Sequence, residues 1–282
     1  MNFDPRITPA RPDLAARFLE DKVKADRFVE GELQEVVIPQ APVRREPRPD
    51  APLDTEALKG ERVMVYEMNE EGWAWGQLET DRCVGWLPSN ALAAPGPGPT
   101  HRVASLRMPV LVGPSIKMAT MEMLSLGSML AIAREEGRFA ITASGYFAPK
   151  VHLAPLKSFE KDFVAVAERF VGVPYLWGGT TSLGLDCSAL VQVSLAACGI
   201  ASPRDTYMQE TVLGQAVDPG DDFSGLKNGD LVYWKGHVAI VRDERHFLHA
   251  NGFHMAVAIE PIRETIARFT EEGTPVSSVR RL

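Results

Sequence analysis

The spacing of apolar residues changes twice along this chain. In the first half, short runs alternate with polar turns. Arg62-Val63-Met64-Val65-Tyr66, Trp73-Ala74-Trp75 and Cys83-Val84-Gly85-Trp86-Leu87 are rich in β-branched and aromatic residues, with Asn69, Gly72 and Asp81 between them. Such segments predict short antiparallel strands. From Phe159 the period lengthens. Phe159, Phe163, Val166, Ala167 and Phe170 recur at helical spacing, with Ser158 as a candidate N-cap and Gly172 and Pro174 as a stop. A glycine-rich loop then leads into a second helix, whose apolar face is Ala189, Leu190, Val193, Ala196 and Ala197 and whose end is Gly199. Strand-like segments return over 230–234, 237–242, 246–250 and 255–260. Helices followed by an antiparallel sheet predict an α+β domain.

Two proline-rich stretches divide the chain. Residues 39–52 carry five prolines in fourteen positions, and 94–99 read APGPGP. The first is expected to be an extended linker that does not pair as a central strand. It closes an N-terminal extension over 1–45, with a short helix around Leu14, Phe18 and Leu19 and a brief strand at Val36-Val37-Ile38. The divisions that follow are 46–95, 96–155 and 156–282. The second segment echoes the first. Gly60-Glu61-Arg62-Val63-Met64-Val65 matches Gly127-Ser128-Met129-Leu130-Ala131-Ile132, and Val84-Gly85-Trp86-Leu87 matches Ser144-Gly145-Tyr146-Phe147. Two copies of about five short strands fit two small barrels.

Composition narrows the classes. The 282 residues hold 30 Lys and Arg against 37 Asp and Glu, a net charge of −7. That balance speaks against a nucleic-acid binder. The three cysteines form no short pair and supply no disulfide framework, which suits a reducing compartment. The start of the chain shows no export signal, and the most apolar stretch, 121–133, is too short to span a bilayer. The expectation is a cytoplasmic protein with no membrane partner. The oligomeric state is not legible.

Cys187 carries the most chemical information. It sits where the glycine-rich loop meets the second helix, where unpaired N–H groups and the helix dipole favour a thiolate and can stabilise an oxyanion. A nucleophilic Cys needs a base, and the base needs an orienting group. His237 begins one strand and His249 lies near the end of the next. Adjacent antiparallel strands would set the two rings side by side, His237 as base and His249 as its orienter. The other histidines, and Cys198 as a small buried apolar residue, take structural readings. Zinc ligation by Cys and His lacks the usual paired ligand spacing, so no metal and no cofactor is expected.

Pro174-Tyr175-Leu176-Trp177-Gly178-Gly179, Asp186-Cys187-Ser188, Gly236-His237-Val238-Ala239-Ile240 and His249-Ala250-Asn251 together resemble the NlpC/P60 cysteine peptidases. The two upstream segments resemble bacterial SH3 domains, an order similar to that of the dipeptidyl-peptidase VI group of γ-D-glutamyl-diamino-acid endopeptidases. The resemblance implies a papain-like α+β catalytic domain behind two SH3-like β-barrels. It implies Cys187 as nucleophile, His237 as base and His249 as third member. Tyr175 would assist the substrate or oxyanion, and Asp186 and Ser188 would line a subsite for a D-glutamyl residue, with Arg204-Asp205-Thr206 nearby. In such enzymes the first barrel reads the free amine of an N-terminal L-Ala. Glu61 is the acidic candidate here, although Cys83 stands where an aromatic residue is common. The implied activity is hydrolysis of the γ-D-Glu–diamino-acid bond (meso-diaminopimelate or Lys) in peptidoglycan-derived muropeptides, releasing L-Ala-D-Glu during cell-wall recycling. The alternatives are a cell-wall hydrolase, an amidase or acyltransferase on the same fold, or a non-catalytic wall-peptide binding module.

Overall fold

The computed structural model describes residues 3–282, so the first two positions of the expected extension lie outside the described residues. The chain divides into two compact units, with the boundary between Ser158 and Phe159. That is three residues beyond the boundary expected at 155/156.

The N-terminal unit is all β apart from short 3-10 turns. Its first barrel is a seven-stranded sheet in the order Leu53–Leu58, Gln40–Arg44, Val84–Pro88, Trp73–Leu78, Arg62–Met68, Glu32–Val36 and Leu92–Ala93. Inward-facing Val36, Val43, Val63, Val65, Leu78 and Leu87 fill it. Two of its strands lie in the segment expected to be extension and linker, so the barrel begins near Glu32 rather than at 46. Pro42 is tolerated because Gln40–Arg44 pairs along its length with Leu53–Leu58 alone and meets Val84–Pro88 only at Arg44. The missing proline N–H therefore faces no continuous partner ladder. Cys83 is fully buried in this core, where its small side chain fills barrel interior.

The expected helix around Leu14 is instead a two-residue strand, Ala15–Ala16, and a 3-10 turn, Arg17–Leu19. Leu14 is buried against Trp75, Val84 and Trp86. The Arg11 guanidinium lies 4.4 Å from the Trp75 ring centroid and 4.9 Å from that of Trp86. Tertiary packing on an aromatic face outweighs the weak helical propensity of this stretch.

The second barrel is built from a three-stranded and a five-stranded sheet that share a core of Val103, Met108, Val110, Leu124, Leu130 and Ala148. Gly60 has φ +85°, and a Cβ there would come within 2.5 Å of the Met129 carbonyl oxygen. A glycine is required where the first barrel's turn meets the second barrel's chain.

The C-terminal unit places four helices around a six-stranded antiparallel sheet. The helices are α1 (Phe163–Glu168), α2 (Cys187–Ala197), α3 (Thr206–Val212) and α4 (Ile262–Glu271). The sheet order is Gln215–Ala216, Ser278–Arg281, Leu231–Trp234, His237–Val241, His246–Asn251, Ala256–Pro261. α1 starts later than expected. Asp162, not Ser158, caps it by accepting the N–H groups of Val164 and Ala165. Cys198 is the C-cap of α2 and is partly exposed rather than buried. α4 was not anticipated. It packs Ile262, Ile266 and Phe269 against Trp234, Val241 and Phe247. No helix among the described residues is long and apolar enough to cross a membrane.

Candidate active site

Three chain segments converge in the C-terminal unit. The first is the loop before α2 with the start of that helix. Asp186 is the N-cap, and its Oδ1 accepts the Ala189 N–H at 2.8 Å. The same carboxylate accepts the Gly178 N–H at 2.9 Å through Oδ2. It thereby holds the glycine-rich loop against the helix start, and Cys187 is fixed in the first turn.

The Asp186 carboxylate is itself buried and ion-paired. Arg204 donates to Oδ2 at 2.6 Å and to Oδ1 at 2.9 Å, and also to Ser188 Oγ at 2.9 Å. Ser188 Oγ donates to Asp186 Oδ1 at 3.1 Å. Arg204 is 1% exposed. A charge taken so fully out of water requires a partner of this kind. Beside it, Gln209 of α3 donates to the backbone carbonyls of Ser188 and Pro203, both at 2.9 Å.

The second segment is the hairpin between Leu231–Trp234 and His237–Val241. Trp234 pairs with His237 across a two-residue turn, and Gly236 in that turn has φ +80°, the left-handed region that favours glycine. The Cys187 thiol lies 4.0 Å from the Gly236 carbonyl oxygen, which sets the sulfur beside the residue that carries the imidazole. His237 stacks on Phe269 with centroids 5.1 Å apart, and Trp234 lies at 5.7 Å.

The third segment is the pair of strands His246–Asn251 and Ala256–Pro261. His237 Nε2 lies 2.8 Å from His249 Nδ1. His249 is fully buried, and its Nε2 lies 2.7 Å from Glu260 Oε2. Arg268 of α4 clasps Glu260 with two bonds, at 2.9 and 2.7 Å. The connected series is therefore His237, His249, Glu260 and Arg268.

Electrostatics modify one expectation. Burial pushes the Cys187 thiol up to about 12, and the neighbouring Asp186 charge adds to the rise. The N–H groups of Val238 and Ser188 pull the other way but do not prevail. Burial and the Asp186 charge thus favour the thiol, against the pull toward thiolate expected from its helix position. Burial also holds His237 well below the ordinary imidazole value, reinforced by His249. The two shifts together favour a neutral thiol beside a neutral imidazole. Burial raises the Glu260 carboxyl, but hydrogen bonds and charge from His249 and Arg268 outweigh it and bring Glu260 down to about 2.

The structure brings Cys187, His237, His249, Asp186 and Ser188 into one unit, and Tyr175 joins them. Burial raises the Tyr175 hydroxyl, and the Cys187 and Asp186 charges lie near enough to raise it further. Glu61 belongs to the N-terminal unit. There its carboxylate accepts the Leu58 N–H at 3.1 Å and is pushed up to about 8 by burial and by Asp81. Glu260, Arg268 and Gln209 were not singled out from the sequence. The available signal was a glutamate on a strand paired with that of His249, followed by Ile262, Ile266 and Phe269 at helical spacing.

The model of the NlpC/P60 family matches residues 172–270, and that of the bacterial dipeptidyl-peptidase SH3 domain matches residues 43–92. The chain is 24% identical over 239 residues to dipeptidyl-peptidase 6 of Lysinibacillus sphaericus, covering 77% of this chain and 86% of that protein. It is 27% identical over 238 residues to the gamma-D-glutamyl-L-lysine dipeptidyl-peptidase of Bacillus subtilis, covering 77% and 78%. A crystal structure of an NlpC/P60 family protein from Bacillus cereus superposes with a TM-score of 0.73 at 21% identity, over 89% of this chain and 99% of that one. That likeness shows a shared fold.

Proposed function

A bacterial dipeptidyl-peptidase SH3 domain and an NlpC/P60 domain share this chain, and from that premise we propose a cysteine peptidase acting on peptidoglycan-derived peptides. The bond cut is that between γ-D-Glu and the diamino acid, in peptides with a free N-terminal L-Ala. The observation that carries the reading is the Cys187 thiol beside the Gly236–His237 corner, with His237 bonded to His249. The names of the two relatives, dipeptidyl-peptidase 6 and gamma-D-glutamyl-L-lysine dipeptidyl-peptidase, support the substrate class.

In this mechanism His237 Nδ1 removes the Cys187 proton as the substrate arrives. The thiolate attacks the γ-carbonyl carbon, and the C–S bond forms as the carbonyl π bond opens to an oxyanion. Backbone N–H groups at the start of α2, with the Tyr175 hydroxyl, are the proposed oxyanion donors. The intermediate collapses and the C–N bond breaks. The leaving amine takes the proton from the His237 imidazolium. Water then attacks the thioester, His237 takes its proton, and the thiolate leaves and is reprotonated.

Ser188 and Arg204, tied together through Asp186, are the proposed surroundings of the D-glutamyl carboxylate. Glu61 is the proposed partner of the substrate's ammonium. Three cysteines outside any disulfide suit recycling in a reducing cytoplasm.

Mass spectrometry after incubation with L-Ala-γ-D-Glu-meso-diaminopimelate tests the proposal, beside the N-acetylated peptide and the Cys187→Ala protein. Release of L-Ala-D-Glu from the free-amine peptide, by the unmodified protein alone, is expected. Cleavage of both peptides would remove the role of Glu61 and point to a wall hydrolase. Cleavage by Cys187→Ala would remove the mechanism.

A further inference from the structure

We propose that Glu260, held by Arg268 of α4, is a positioning residue that dictates which nitrogens of His249 and His237 carry protons, and thereby keeps His237 Nδ1 free to accept one. The use of that lone pair in turnover rests on the cysteine-peptidase reading. The proton arrangement is a property of the resting protein.

Arg268 donates to both Glu260 oxygens, at 2.9 and 2.7 Å, and Thr265 Oγ1 adds a longer bond to Oε2 at 3.4 Å. A carboxylate clasped by a guanidinium stays ionised and can only accept hydrogen bonds. His249 Nε2, 2.7 Å away, must therefore be the protonated nitrogen. A neutral, fully buried His249 then has a bare Nδ1. The nitrogen 2.8 Å from it, His237 Nε2, must in turn be a donor. A neutral His237 with its proton on Nε2 has a lone pair on Nδ1, the nitrogen that His249 does not engage. Every hydrogen bond in the series points toward Glu260.

Without the carboxylate the polarity is undetermined. A run reversed from end to end satisfies the same two imidazoles, and it places a proton on His237 Nδ1. In that state the ring cannot receive the Cys187 proton. The carboxylate also lies at the far end of the series from the charge that appears on His237 after transfer. The other titratable neighbour of Glu260 is His254, whose Nδ1 lies 3.4 Å from Oε1.

α4 acts on the base from two sides. Arg268 fixes the far end of the hydrogen-bonded series, and the next residue, Phe269, stacks on His237 at 22° and on Trp234 with centroids 4.8 Å apart. Tautomer and ring plane thus both depend on one turn of one helix.

Nitrogen-15 NMR of the histidine-labelled, unmodified protein near neutral pH tests the arrangement without substrate. Protonated Nε2 and bare Nδ1 are expected for both His237 and His249. A proton on His237 Nδ1 would overturn the proposal. Glu260→Gln keeps the shape, but its amide can donate to His249 and reverse the run. It is expected to slow iodoacetamide labelling of Cys187 at neutral pH by about ten-fold or more, and to lower kcat similarly with KM nearly unchanged. A folded Glu260→Gln protein with unchanged labelling rate, pH profile and histidine tautomers would also overturn it. If that variant does not fold, the spectrum of the unmodified protein still decides. A protein with the stated tautomers that cleaves no muropeptide would sink the functional reading and leave this one standing. Cleavage with reversed tautomers would do the opposite.

Discussion

His237 presents Nε2 to His249 Nδ1 at 2.8 Å, so the second imidazole orients the first through a single ring-to-ring bond. Replacing His249 by Ala removes that restraint and leaves His237 Nε2 without a partner. His249→Ala should lower kcat on the order of 10²-fold or more while changing KM little. Asn, which can also present an acceptor to His237, should recover part of the loss. Steady-state kinetics on the muropeptide, with circular dichroism to verify folding, checks both variants.

Burial pushes the Cys187 thiol up to about 12, above the ordinary value of about 9 that it takes in the unfolded chain. The unfolded chain therefore loses this proton first as pH rises. The stability tied to Cys187 is complete below about pH 9 and is lost as pH climbs toward 12. In urea titrations at rising alkaline pH, the transition of the C-terminal unit should fall faster for the unmodified protein than for Cys187→Ala. Identical pH dependence in the two proteins would contradict a raised thiol.

The acid side follows His237, which lies well below its ordinary 6.5. The imidazole is already neutral at pH 6.5, so kcat/KM should hold its value there and decline only at lower pH. Its pH profile, compared with that of a His249→Asn protein, would show the limb. A midpoint at or above 6.5 in the unmodified protein would conflict with a desolvated, neutral His237.

Arg204 is the fully buried guanidinium of a buried pair. Arg204→Met strands the Asp186 charge and should cost about 3–5 kcal/mol. Replacing the pair together, as Asp186→Asn with Arg204→Met, should cost less than the sum of the two single changes. Urea midpoints of the four proteins close the cycle.

On the N-terminal unit, Leu14 is buried against Trp75 and Trp86. Leu14→Ala should cost about 2–5 kcal/mol and change tryptophan emission as water reaches those rings. An unchanged emission spectrum and midpoint would show that the N-terminal segment is not docked on the aromatic face.

Much of the site was legible because its residues sit at element boundaries that the sequence marks. Cys187 follows a glycine-rich loop and opens a helix, and His237 follows the Lys235-Gly236 turn. The antiparallel sheet was legible from the spacing of its turns. Glu260 was hidden because its role depends on strand pairing. His249 lies opposite Ala258, two residues from Glu260, and only folding reveals that the carboxylate reaches the ring. Pro42 misled for a related reason. A proline argues against a strand flanked continuously on both sides, and this strand has a continuous neighbour on one side only. The thiolate expectation took account of the helix end alone, whereas burial and the Asp186 charge favour the thiol. Arg11 and Leu14 carried no helical signal strong enough to compete with an aromatic face, and local spacing cannot see such a face.

Asp186, the residue before Cys187, joins three parts of the C-terminal unit. One carboxylate caps α2, tethers the loop at Gly178 and neutralises Arg204. Its loss would loosen the helix, the loop and the buried charge in a single step. A lineage that drifts toward other substrates can change exposed positions such as Trp177 by single steps. It cannot pass through Asp186 without first rebuilding what Asp186 supports, so new specificities are expected to arise around that position rather than at it.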